Sequence, residues 1–413
     1  MSESVVVVGA GLAGLRTVEE LRRAGFGGAI TLAGAEAHPP YDRPPLSKQI
    51  LAGTMTPDQV VLRNEDALRE LDVTLRLGAK ATRLDRMSRK VEFDDGTVLE
   101  YDHLVVATGI TPRRLPIGTE LAGVHVLRTI DDALAFRAEL AEAASVLVVG
   151  AGFIGCEVAA GLRSAGQDVV LVEGQEQPLA GVLGPEVGEL VARLHRAAGV
   201  DLRCGVSVAE LFGTDRVRGA RLSDGAEVAA PVVLSGIGSR PAVEWLQDSG
   251  LVLDNGVRCD ERGRTNDPRV WAVGDVAAWW DPASGRHLRV EHWTGAGEQA
   301  AIVAGELCGT GSAERGVPYF WSDQYDVKLQ GFGHFGPDDE VAVAFDDGRR
   351  FVALYSRGAT VTGAVGGGVP RTMIKLRALL ARGASTEEAL AVVAATTTPV
   401  PSAVAQPAAT ADR

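Results

Sequence analysis

Six glycines in two identical spacings carry the first chemistry of the chain. Gly9, Gly11 and Gly14, and then Gly150, Gly152 and Gly155, each follow four apolar residues and open a helical pattern. In that setting the first glycine makes a tight turn, the second lets backbone approach a pyrophosphate, and the third lets the helix pack on the strand. The helix N-terminus then offers unpaired N–H groups to the anion. Residues 5–25 and 146–166 agree at 11 of 21 positions, so the motif is a duplication and the chain has two dinucleotide sites. Ala13 lies inside the first turn, and Phe153 and Ile154 inside the second. A carboxylate ending the next strand should take a ribose hydroxyl. Glu173 stands there in the second repeat, and residues 174–182 hold no Arg or Lys for a 2′-phosphate, which favours NADH over NADPH. In the first repeat Gly34 and Ala35 occupy that place, so Glu36 is the expected ligand.

Two further segments bring charge. HPPYDRPPLSK, residues 38–48, supplies Arg43 and Lys48, with Pro44-Pro45 expected to bar a helix and stiffen a loop. WAVGDVA delivers Asp275 at a glycine turn, ahead of Glu291-His292-Trp293 and a helical stretch over 295–307. A strand-end carboxylate there suits a polyol, and the helix N-terminus suits an anionic ring edge.

The elements that must hold these residues repeat as well. Asp95-Gly96 and Asp224-Gly225 mark hairpins, each followed by an apolar strand ending at Gly109 or Gly238. The fold class is therefore α/β, two Rossmann-like dinucleotide-binding domains plus a C-terminal α+β domain. The expected division is 1–112 with 239–315 for the first domain, 113–238 for the second, 316–395 for the third and a disordered tail over 396–413. The third domain reads as a meander of EVAVAF, RRFVALYS and ATVTGAVGGG. A helix over 371–381 follows, then a last helix capped by Ser385 and Glu388.

A net charge of −13 excludes a general nucleic-acid binder, which needs a basic face. No run approaches the roughly 18 apolar residues of a membrane helix, so a soluble cytoplasmic protein is expected. Cys156, Cys204, Cys259 and Cys308 are scattered without a redox-pair or metal-binding spacing, and no metal is expected.

GAGLAG, PYDRPPLSK, Ala107-Thr108-Gly109, GAGFIGCE, the GIG ending at Gly238, AVGD and WSDQY (Trp321 to Tyr325) occur in an order that resembles the FAD-dependent, NADH-dependent ferredoxin reductases. These are the reductase components of bacterial cytochrome P450 and aromatic-ring dioxygenase systems, and the resemblance spans residues 5 to about 395. It implies a glutathione-reductase-like architecture and FAD in the first repeat, with Gly9, Gly11, Ala13 and Gly14 at the pyrophosphate and Asp275 on the ribitol. Arg43, Lys48, Ala81 and Arg128 would also contact FAD, and the Trp293 N–H would face the flavin's pyrimidine edge. NADH would occupy the second repeat, and Lys48, paired with Glu157, would stabilise the charge that develops on hydride arrival. The segment 38–48 lacks the cysteine that disulfide reductases place near the flavin, so electrons should leave singly to a separate iron–sulfur ferredoxin of the two-iron, two-sulfur kind. Docking is expected near Trp321 and the basic run of Arg371, Lys375 and Arg377, on a monomer or weak dimer. The alternatives are a rubredoxin reductase, a nitrite reductase flavoprotein subunit, or an NADH-sensing flavoprotein resembling apoptosis-inducing factor.

Overall fold

Val5 to Val8 are each at most 3% exposed, a run apolar on both faces of the strand. Such a strand must lie inside a parallel sheet covered on two sides. The computed structural model, which describes residues 3–397 apart from 119, 283 and 312–313, places it there. The first sheet runs Val270–Ala272, His103–Val106, Ser4–Val8, Ala29–Ala33, Val73–Arg76, all parallel. The second repeats the order with Val124–His125, Val232–Ser235, Ser145–Val149, Asp168–Glu173 and Asp201–Cys204. Both hairpins are present, Lys90–Phe93 with Val98–Glu100 and Val217–Leu222 with Glu227–Ala229.

The glycine turns match in detail. Gly9 and Gly150 have φ of 120° and 98°, and a Cβ on either would collide with a carbonyl of the neighbouring strand's end, Ala107 or Gly236. Gly14 and Gly155 pack so closely on Gly9 and Gly150 that no side chain fits between helix and turn.

The first sheet's edge strand, Val270–Ala272, lies in sequence after the whole second sheet, so the chain leaves the first unit and returns. The two crossings, Ile110–Pro112 and Ser239–Pro241, pair as an antiparallel ribbon between the units.

The third unit is a five-stranded antiparallel sheet ordered Tyr319–Gln324, Val327–Gly333, Thr360–Gly367, Phe351–Arg357, Glu340–Asp346. The sequence pattern shows its last three strands and not the first two; in the first, Ser322 and Gln324 stand where alternation would place apolar residues. Helices Pro370–Leu380 and Thr386–Thr397 cover one face through Met373, Leu376, Ala389 and Val393. The other face sends Phe320, Leu329, Phe351 and Tyr355 into the core of the second unit. Ser385 and Glu388 cap the last helix reciprocally, at 3.2 and 3.0 Å. That helix runs through Thr397, past the expected boundary at 396, and the remainder of the expected tail lies outside the described residues.

Pro44-Pro45 requires a correction. Residues Pro44–Ser47 form a 3-10 turn, because prolines at its first two positions lack only N–H groups that a first turn leaves unpaired.

Candidate functional site

Among the helices that begin without a side-chain cap and without an acid in the first turn are Leu12–Arg23 after Gly11, Phe153–Ser164 after Gly152, and Trp293–Cys308 after His292. Unsatisfied N-terminal N–H groups are costly unless something anionic meets them. All three N-termini open on one cavity of about 2340 Å³ that runs between the sheets and under the third unit. Over Gly11 and Gly152 a Cβ would meet no protein atom closer than 4.0 Å, so those two turns leave room for a ligand.

Most of the expected site residues line this cavity. Gly9, Gly11, Ala13, Glu36, Arg43, Lys48, Ala81, Ala107, Thr108, Gly109, Arg128, Asp275 and Trp293 do so from the first unit and its junctions. Gly152, Phe153, Ile154, Glu157 and Gly238 do so from the second. Gly14, Gly150, Gly155 and the half-exposed Glu173 are not among the lining residues. The Glu173 carboxylate accepts from the N–H groups of Ala151 at 2.6 Å and Gln175 at 2.9 Å, beside the second glycine turn. Trp321 reaches the cavity, its ring 6.2 Å from that of Trp293. Arg371, Lys375 and Arg377 are exposed on a helix whose last residue, Leu380, reaches the rim.

On the first unit's side the charges are balanced. Arg43 donates to Glu36 at 2.7 Å and to the Tyr41 hydroxyl at 2.8 Å, and Tyr41 donates to Glu36 at 2.5 Å. Arg128 lies 3.4 Å from Asp275. Burial, with Arg43 nearby, pushes the Arg128 guanidinium below its ordinary range, and burial raises the Asp275 carboxyl. The Trp245 Nε1 and His292 Nδ1 atoms, on two further cavity-lining side chains, have no hydrogen-bond partner among the described residues. Burial drives His292 down to about 4, so its ring is neutral.

At the junction of the three units sits Glu157, 5% exposed. Its Oε2 accepts from Lys48 Nζ at 2.8 Å and Ser47 Oγ at 2.6 Å, and its Oε1 from Ser322 Oγ at 2.9 Å and the Asp323 N–H at 3.2 Å. Lys48 and Glu157 were anticipated. The donors Ser47, Ser322 and Asp323 were not, although SDQ inside an aromatic strand was the available sign of a buried polar contact.

The donor set fits FAD and NADH. Uncapped helix ends, Arg43 and Arg128 suit pyrophosphates, while Glu36, Asp275 and Glu173 suit hydroxyls. None of the four cysteines lines the cavity, Cys156 and Cys259 being buried. Among the described residues no cluster of His, Cys, Asp and Glu could hold a metal ion, and no helix is long and apolar enough to cross a membrane.

The pyridine nucleotide-disulphide oxidoreductase family model matches residues 3–300, and the reductase C-terminal model matches residues 319–399. The chain is 38% identical over 381 residues to rhodocoxin reductase of Rhodococcus erythropolis, covering 92% of this chain and 89% of that protein. It is 36% identical over 387 residues to the ferredoxin–NAD(+) reductase component of the anthranilate 1,2-dioxygenase system of Burkholderia cepacia, covering 93% and 95%. The reductase in the covalent putidaredoxin reductase–putidaredoxin complex superposes with a TM-score of 0.91 at 33% identity, covering 96% of this chain and 99% of that one.

Proposed function

The chain belongs to the pyridine nucleotide-disulphide oxidoreductase family, and from that premise we propose that it oxidises NADH through FAD and passes electrons to an iron–sulfur ferredoxin. When bound, FAD supplies the hydride acceptor and the conversion of a two-electron donation into single-electron steps. The observation that carries the reading is one cavity on which both glycine turns and three uncapped helices open, with no cysteine in its wall.

The residues divide the work. Arg43, Arg128 and the Leu12–Arg23 helix end hold the FAD pyrophosphate, Asp275 holds ribitol hydroxyls, and Glu36 serves the adenosine ribose. Glu173 takes the NADH ribose and repels a 2′-phosphate. Ile154 and Val182, 44% and 54% exposed on the cavity wall, give the nicotinamide half an apolar surface. Lys48 brings its ammonium to the flavin side with its position set by Glu157. Because Glu157 offsets that charge, the uncapped Trp293–Cys308 helix end supplies the remaining uncompensated positive potential where negative charge develops.

The docking surface is proposed on helix Pro370–Leu380. No ion pair engages Arg371, Lys375 or Arg377 among the described residues, and Ile374 lies between the first two at 66% exposure. An apolar side chain ringed by unpaired bases fits an acidic partner. Arg382, just beyond the helix, is by contrast paired with Glu388. A cytoplasmic reductase of a cytochrome P450 or dioxygenase system, monomeric or weakly dimeric, is the fuller form of the reading.

Anaerobic NADH should bleach the flavin absorbance of the purified protein, with kcat/KM for NADPH at least about tenfold lower, as expected if Glu173 excludes the phosphate. Equal efficiency with both nucleotides would remove Glu173 from that role.

A further inference from the structure

Ser322 and Gln324 are 0% and 1% exposed on the face of strand Tyr319–Gln324 that meets the second unit, where apolar residues would normally stand. Behind them His195, fully buried on helix Ala180–Ala197, makes the next contact. The distances form a line: Tyr325 Oη to His195 Nδ1, 2.9 Å; His195 Nε2 to Gln324 Oε1, 3.2 Å; Gln324 Nε2 to Ser322 Oγ, 3.3 Å; Ser322 Oγ to Glu157 Oε1, 2.9 Å. Apart from Glu157, none of these residues lines the cavity.

The carboxylate at one end sets the direction of every bond. Glu157, paired with Lys48, only accepts, so the Ser322 hydroxyl points its proton at Glu157. The Ser322 oxygen then accepts from the Gln324 amide. The Gln324 oxygen in turn faces His195, whose Nε2 must carry the proton, and the bare Nδ1 accepts from Tyr325. A neutral ring is required throughout, and burial, which holds His195 at about 4, provides it.

We propose that Gln324 and His195 are positioning residues for the hydride-transfer site. They hold Ser322 as a donor to Glu157 Oε1, which keeps Oε2 turned toward Lys48 and Ser47. The inference rests on the reading above that Lys48 and Glu157 serve NADH oxidation. Freed from this line, Ser322 could turn its proton elsewhere and the carboxylate could rotate, carrying Lys48 with it. Small misplacements of such groups are costly in rate. The titratable groups facing the line are Glu157 and Lys48 at one end and Tyr325, Cys156 and Arg163 at the other, while Asp323 offers only its N–H and turns its carboxylate to Lys328.

Two measurements test it. In wild-type protein labelled with 15N-histidine, with the His195→Phe variant to assign the signal, His195 should be neutral at pH 7 with its proton on Nε2. The opposite tautomer, or an imidazolium, overturns the proposal whatever the cofactor does. In stopped-flow reduction by NADH, Gln324→Met should lower the limiting rate about tenfold while the dissociation constant for NADH moves by no more than about twofold. Gln324→Glu adds a pH signature. As a carboxylic acid it can donate to Ser322, and as a carboxylate it cannot, so its rate should approach wild type as pH falls and be lost as pH rises. An unchanged rate in Gln324→Met, or a Gln324→Glu profile parallel to wild type, overturns it. Should Gln324→Met fail to fold, the tautomer and the Gln324→Glu profile still decide. Reduction of the wild type by NADH tests the underlying reading separately.

Discussion

Glu157 gathers donors from 109 to 166 residues away in sequence, and that separation explains what was legible at the scale of the residue. Lys48, Glu157, Glu173 and the glycines stand in local patterns with their own chemical meaning. Ser47, Ser322, Asp323 and His195 gain theirs only when distant segments meet. Tyr41 is similar, since nothing nearby in sequence shows that it joins Glu36 to Arg43. Replacing Lys48 with Met leaves a buried carboxylate short of its cation. The limiting rate of flavin reduction should then fall by more than the NADH dissociation constant rises, and unfolding stability should drop by about 2 kcal/mol. Adding Glu157→Gln should recover the stability without the rate. A stopped-flow rate equal to wild type in Lys48→Met would reduce that residue to a structural ion pair.

Elements were legible where their period was clean. The strands leading into the glycines and the helix over 295–307, observed as Trp293–Cys308, follow from apolar runs and turn residues. The hairpins Ala277–Asp281 with Arg286–Arg289 and Tyr319–Gln324 with Val327–Gly333 were missed: one strand of the first is mostly charged, and one strand of the second sets Ser322 and Gln324 at core-facing positions. Helix Pro370–Leu380 carries the element-scale prediction. If its exposed bases steer an acidic ferredoxin, the apparent KM for ferredoxin should rise with ionic strength, because salt screens exposed charges beyond roughly 10 Å at 0.1 M. Reversing Arg371 and Lys375 to Glu should flatten that dependence while NADH-to-ferricyanide activity stays at the wild-type level. Mutants that keep the wild-type salt slope would place docking on another face.

For the whole molecule, duplication made two units plain, whereas their assembly was hidden. Apolar residues that join the third unit to the second, such as Phe320 and Tyr355, look in sequence like any core residue. The polar ties, Arg193 to Asp346 at 2.8 and 2.6 Å and the Tyr355 hydroxyl to the Leu183 carbonyl at 2.5 Å, involve types that abound on surfaces. The assembly nevertheless makes the site, because Glu157 and the cavity are complete only when all three units meet. It also leaves the cavity wall without a thiol, so electrons arriving in pairs have no disulfide to receive them.

The most direct measurement is therefore anaerobic steady-state turnover of the FAD-loaded protein with NADH and a two-iron, two-sulfur ferredoxin, counting both products. One NADH consumed for every two ferredoxin molecules reduced, at a rate unaffected by thiol-blocking reagents, is the predicted result. Reduction of the flavin by NADH with no ferredoxin turnover, or turnover abolished by thiol blocking, would contradict the account.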